Sequence, residues 1–215
     1  MSKVGRCTRN FDEALRTLDG DSIGCMLDIG CGTGRTLHLL ERFKNAKRIG
    51  LDIDLRELKQ AKTKCTAVAG SGSHLPFADN LFDLVVEFHT FHHIDNYAKA
   101  IKEVSRCLRK GGHFLMVEAV NDNPIFRFLR NMHPIARKMP IESNFLYREL
   151  IDTLMRNGFA VKSEKRFGIM FEFAIGGLPH VPFFVRRLTS AIDGGLERVF
   201  GTKYCASCVV LAQKR

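Results

Sequence analysis

No run of five or six consecutive Lys/Arg occurs in this sequence, and it has no internal repeat or low-complexity tract. A polybasic nucleic-acid tail, a solenoid and a disordered linker are therefore not expected. The N-terminal Met1-Ser-Lys-Val-Gly-Arg6 leads into no apolar h-region, so no signal peptide is expected. The most apolar stretch, Gly168 to Val185, is broken by Glu172, Gly176-Gly177, Pro179, His180 and Pro182, which makes a poor membrane-crossing helix. Among the seven cysteines only Cys205-Ala-Ser-Cys208 has a C-x-x-C spacing, and no second pair or nearby His completes a zinc set. These read as strand cysteines, no metal ligands are expected, and an odd number of reduced thiols predicts a cytoplasmic location. Acidic residues are the scarcer charge: 23 Asp+Glu stand against 33 Lys+Arg, for a net charge of +10. Either the protein is basic without a polyanionic partner, or the surplus meets nucleic acid, an acidic lipid surface or an anionic small molecule.

What is present is ordinary globular composition, with 45% hydrophobic and 26% charged residues over 215 positions. That suffices for one α/β domain with a full core, spanning 1–215, and is too short for two. Phe11, Ala14, Leu15 and Leu18 predict a short N-terminal helix. Strands are expected at Cys25–Ile29, Arg48–Asp52, Cys65–Ala69, Phe82–Glu87, His113–Val117, Phe159–Phe167 and Ala206–Ala212. Helical patterns lie at Thr36–Phe43, around Leu55, Leu58 and Ala61, at Tyr97–Leu108 and at Leu146–Arg156. Strands alternating with helices through residue 118 indicate a parallel sheet covered on both faces. Two long connections, 121–142 and 168–204, interrupt this pattern, and long connections in compact domains are usually functional.

The densest signal is Asp28-Ile-Gly30-Cys31-Gly32-Thr-Gly34 between a strand and a helix. Glycines there let the backbone turn sharply and approach a ligand at the carboxyl end of the first strand. Asp52 ends the second strand, where a carboxylate can accept both ribose hydroxyls of a nucleoside. A dinucleotide site would want a further Gly or Ala at position 35, to seat a pyrophosphate on the helix N-terminus; the residue is Arg35. Asp28 suits a cationic ammonium or sulfonium better than a pyrophosphate.

These residues resemble the class I S-adenosylmethionine-dependent methyltransferases of the ubiquinone and menaquinone biosynthesis type (methyltransferase type 11). The matching segments are Met26-Leu-Asp-Ile-Gly-Cys-Gly-Thr-Gly34, Gly50-Leu-Asp-Ile-Asp54, His74 to Val85, Phe91-His-His-Ile94 and Glu103 to Gly112, in family order. The resemblance implies a Rossmann-like fold with a seven-stranded, mostly parallel sheet, helices on both faces and an antiparallel last strand. It implies a cofactor-binding core over 22–120 and S-adenosyl-L-methionine as cofactor. Gly30, Cys31, Gly32 and Gly34 would pass beneath its methionine portion beside Asp28. Asp52 would take the ribose, Ile53 would pack on the adenine, and Ser71 and Gly72 would edge it. Glu87 and Phe88 would face the methionine portion. Ser71 stands where the family has an acid, and its oxygen accepts a hydrogen bond more weakly than a carboxylate.

Methyl transfer from a sulfonium mainly requires two reactants held in line, with a base only if the acceptor loses a proton. His89, His92 and His93 are the candidate bases; the alternative is that they orient the loop or bind substrate. The segments 121–142 and 168–204 are apolar and basic together, with Phe126, Phe128, Arg127 and Arg130 in one and Phe183, Phe184, Arg186 and Arg187 in the other. They read as a capping layer with its own core, as a cover for a small apolar acceptor that also leans on an anionic membrane, or as an RNA contact. The expected function is methyl transfer to a small quinone-like or lipid-like acceptor, with peripheral membrane contact as an added possibility. Its rivals are an RNA or protein methyltransferase and a non-catalytic or nicotinamide-binding Rossmann protein. Oligomeric state is not legible.

Overall fold

A computed structural model describes residues 5–124, 146–169 and 182–215. Seven strands form one sheet: β1 (Cys25–Ile29), β2 (Lys47–Asp52), β3 (Thr66–Ala69), β4 (Phe82–Phe88), β5 (Leu108–Ala119), β6 (Phe159–Phe167) and β7 (Ser207–Lys214). Their order is β3-β2-β1-β4-β5-β7-β6. The first five pair in parallel, while β7 runs antiparallel to both β5 and β6. Five helices accompany the sheet among the described residues: α1 (Arg6–Leu15), α2 (Leu55–Ala61), α3 (Tyr97–Cys107), α4 (Tyr147–Arg156) and α5 (Phe183–Phe200).

Strand alternation sorts consecutive residues to opposite faces. Leu27, Val85, Phe114 and Met116 pack with Ala100, Ile101 and Val104 of α3 and Leu150 and Leu154 of α4. Their neighbours Met26, Leu84, Leu115 and Val117 pack with Phe11 and Leu15 of α1 and with Leu37 and Leu40. Each such side chain contributes about 1.5–3 kcal/mol by leaving water. Ile29 pairs with Leu51 on one side and Glu87 on the other, so β1, β2 and β4 end level. The chain crosses from one half of the sheet to the other between β1 and β4, which opens a crevice at those ends.

Several boundaries differ from those the sequence predicts. Helix α1 begins at Arg6 and ends before Leu18. The pattern at 36–43 forms a 3-10 run over Thr36–Arg42. A spacing of three puts Leu37 and Leu40 on one side of such a run, and both are buried. Strand β5 starts at Leu108, directly after α3 ends at Cys107 and well before His113, and Gly111 (φ 80°) lies within its extended chain where the pairing with β4 is irregular. β7 starts one residue later and ends two residues later than the expected span. Most of 121–142, and residues 170–181 of the second long connection, lie outside the described residues. The described remainder of that second connection is largely α5.

Candidate active site at the ends of β1, β2 and β4

Gly30, Gly32 and Gly34 have φ of 69°, 51° and 79°. An added Cβ at Gly30 would lie 2.2 Å from Thr90 Oγ1, so the loop after β4 closes against the glycine turn. Thr90 makes this joint: its hydroxyl donates to the Ile29 carbonyl at 3.1 Å and its N–H donates to Glu87 Oε2 at 3.1 Å. Lys64 Nζ donates to the carbonyls of Thr33 and Gly34, at 2.9 and 3.3 Å, and fixes the far side of the turn.

Asp52 ends β2 with both carboxylate oxygens on backbone donors. Oδ2 accepts the Gly32 N–H at 2.8 Å and Oδ1 the Asp54 N–H at 2.9 Å. Each oxygen has a second lone-pair site, so the carboxylate can brace the loop and still accept a hydroxyl. Ile53 follows and is 79% exposed, an apolar side chain presented to open space beside that carboxylate. Gly70 N–H donates to the Asp52 carbonyl at 3.0 Å, which brings 70–72 alongside. The Ser71 hydroxyl lies 3.0 Å from that of Ser73 and accepts the Ser73 N–H at 3.3 Å, so part of its capacity is used locally. An added Cβ at Gly72 would meet Ile94 Cδ1 at 2.7 Å.

Asp28 is buried within β1, and neither of its carboxyl oxygens has a hydrogen-bond partner. Burial, reinforced by the charge of Asp52, pushes its pKa up to about 8. The buried Cys31 thiol is likewise raised by burial and by Asp28. Glu87 is fully buried, with Oε1 lacking a partner; burial and the neighbouring charge of Glu118 raise its pKa well above the usual carboxyl range. Phe88, the next residue on the strand, points the other way and packs edge-on against Phe11 at 5.4 Å. Glu87 and Phe88 are therefore not side by side.

The three histidines occupy different positions. His89 has φ 56°, uncommon for a residue with a side chain, and burial lowers its basicity. His92 Nδ1 bonds Glu118 Oε2 at 2.8 Å, and Glu118 Oε1 accepts the Phe91 N–H at 2.6 Å. Burial works against ionisation of Glu118, but the bond from His92 and the fields of His92 and His89 outweigh it and hold its pKa below the ordinary value. His93 is exposed, its ring 4.0 Å from that of His92. Glu118 and Thr90 escaped the sequence reading. Glu118 had a signal: it is the acid that follows the apolar run Phe114–Val117, and β5 lies beside β4. His89, His92 and Glu118 also bring one potential ligand atom each within 4.8 Å of one another. The carboxylate of this group comes from β5, and its direct bond to His92 already accounts for the arrangement.

The crevice suits S-adenosyl-L-methionine. Unpartnered buried oxygens on Asp28 and Glu87 await a polar or cationic group, a turn of glycines leaves room beside them, and a ribose-competent acid stands next to an exposed apolar side chain. Fold and site together resemble those of methyltransferase domains. Residues 27–116 match the family described as "Methyltransferase domain". The chain is 41% identical over 88 residues to a malonyl-[acyl-carrier protein] O-methyltransferase of Dechloromonas aromatica, covering 40% of this chain and 33% of that protein. It is 33% identical over 134 residues to a demethylmenaquinone methyltransferase of Symbiobacterium thermophilum, covering 57% and 51%. It also resembles the crystal structure of an S-adenosylmethionine-dependent methyltransferase from Mesorhizobium loti, with TM-score 0.66, 19% identity and coverage of 94% and 96%. The chain spans between about a third and a half of the length of these curated relatives.

Proposed function

We propose that the chain transfers the methyl group of S-adenosyl-L-methionine to a small apolar acceptor, quinone-like or lipid-like, that gives up a proton. When bound, the cofactor supplies a methyl carbon on a sulfonium, already activated for displacement. The single observation that carries the reading is the His92–Glu118 pair, which stands beside the buried Glu87 at the end of β4. Glu118 holds Nδ1, so the ring presents Nε2 as the atom that takes the acceptor's proton. Gly30, Cys31, Gly32 and Gly34 cradle the methionine portion, and Asp28 balances its positive charge. Asp52 accepts the ribose hydroxyls, Ile53 covers the adenine, and Ser71 and Gly72 border it. The demethylmenaquinone activity named for one relative supports an acceptor of apolar character. The reading extends to peripheral contact with an anionic membrane.

The test follows radiolabelled methyl from S-adenosylmethionine into organic-extractable quinones and lipids. We expect label in that fraction, and loss of about 10²–10⁴ in rate for His92→Ala and Glu118→Gln with cofactor affinity retained. Label confined to RNA or protein overturns the acceptor class; unchanged rates in both variants overturn the assigned base.

A further inference from the structure

Helix α5 is the element the methyl-transfer site leaves unexplained. It presents Phe184, Leu188, Ile192 and Val199 at 70%, 59%, 40% and 76% exposure. The first three are four residues apart and Val199 follows seven later, so they form a single stripe along the helix. Phe200, beyond it, is 58% exposed. Single exposed apolar residues are ordinary; a stripe along 18 residues is not.

The charges on α5 are divided by sign. Asp193 is fully buried. Glu197 faces inward, accepting both terminal nitrogens of Arg6 at 2.7 Å and the Gly168 N–H at 2.7 Å. That clamp ties the polar side of α5 to α1 and to the end of β6, and so fixes which side faces out. By helical spacing, exposed Arg187 and Arg198 flank the stripe, while both acids lie on the opposite side. The outward face is thus apolar with a basic flank and carries no acid. No helix among the described residues is long and apolar enough to cross a membrane.

We propose that α5 docks flat on an anionic phospholipid bilayer, with Phe184, Leu188, Ile192 and Val199 in the acyl boundary and Arg187 and Arg198 on the phosphates. An apolar stripe with a cationic flank and no acid on the same face is the pattern of helices that lie in the bilayer interface. A protein partner with an apolar groove would satisfy the stripe equally; the one-signed charge and the net +10 select an anionic surface. The inference rests on the reading of a lipid-like acceptor for its purpose, and on α5 alone for its geometry.

The sequence has no tryptophan, so Leu188→Trp places a single reporter on the stripe. The full chain is mixed with vesicles of phosphatidylcholine alone or with equal phosphatidylglycerol. We expect co-sedimentation with the anionic vesicles only, and with them a blue-shifted, bromolipid-quenched emission from the tryptophan reporter. Arg187→Glu/Arg198→Glu should weaken binding by at least about fivefold for each arginine lost. Leu188→Glu/Val199→Glu should abolish it while S-adenosylmethionine affinity, which reports folding, is unchanged. The proposal falls if the wild type ignores anionic vesicles, or if the stripe variant still binds them. It falls equally if light scattering shows a dimer that Leu188→Glu dissociates, which would assign the stripe to a second copy. Vesicle binding without labelled lipid or quinone would leave docking intact and refute the acceptor; labelled quinone without vesicle binding would do the reverse.

Discussion

Asp28 is buried inside a strand with no hydrogen-bond donor, and its carboxyl holds a proton up to about pH 8. The unfolded chain releases that proton near the ordinary value of 3.8. The folded state therefore binds more protons between these values, and stability falls as pH rises from about 4 to about 8, then levels. Asp28→Asn should flatten that slope, seen as a melting temperature that varies less with pH across the interval. A cationic cofactor reverses the preference by favouring the carboxylate. Binding of S-adenosylmethionine at neutral pH should therefore release a fraction of a proton, measurable by calorimetry in buffers of different ionisation enthalpy and absent in Asp28→Asn. Asp52→Ala should weaken cofactor binding by about 1–3 kcal/mol, because it removes charge-assisted bonds and also frees the Gly32 N–H; an affinity within experimental error of wild type would misplace the ribose. Gly30→Ala should lose cofactor binding and stability together, since its φ of 69° is unfavourable for alanine and the methyl meets Thr90. Thr90→Ser would relieve only part of that clash, and denaturant melts of the double variant would show partial recovery.

Elements were legible in proportion to how local their cause is. The turn Gly30–Gly34 and the acid Asp52 are written within one strand–turn–helix–strand unit, and periodicity finds them. The Gly32–Asp52 bond closes that unit, and nothing from a distant segment is needed to position it. Glu118 meets His92 only because β5 lies beside β4, a pairing across the sheet that no local spacing encodes. The same limit hid the roles of Thr90 and of Lys64, whose partners belong to other elements. Helix α5 lies in the stretch that reads as a long connection; it contains Gly194-Gly195, which weaken helix propensity, and Glu197, clamped to Arg6, ties it to α1. Arg6→Ala should loosen this clamp, leaving the Glu197 carboxylate part-buried without its cation. Hydrogen exchange should then rise in α5 and α1 with β1–β4 unchanged; uniform exchange across the chain would show that the clamp is not local.

At the scale of the molecule, the proposed donor and acceptor functions occupy different parts of the chain. The proposed cofactor crevice draws on residues 28–90, inside the segment that matches the methyltransferase domain. The proposed proton-accepting pair adds one residue from β5, and the proposed membrane face comes from a helix far along the sequence. Exchanging 121–204 with the corresponding stretch of a relative should change which acceptor is methylated while S-adenosylmethionine affinity stays within a few fold; a large loss of cofactor affinity would show the two halves to be energetically inseparable.

Strand β7 sits between β5 and β6 and is hydrogen-bonded on both sides. During synthesis, the glycine turn, Asp52 and the whole parallel half of the sheet emerge from the ribosome first. β5 meanwhile carries an unpaired, apolar margin until residues 207–214 arrive, a sticky seam of the kind that recruits chaperones or neighbouring chains. The step that completes the sheet is thus the insertion of a late strand into a slot already half built. A pause in translation between β6 and β7 is the moment at which this chain is most exposed to misassembly.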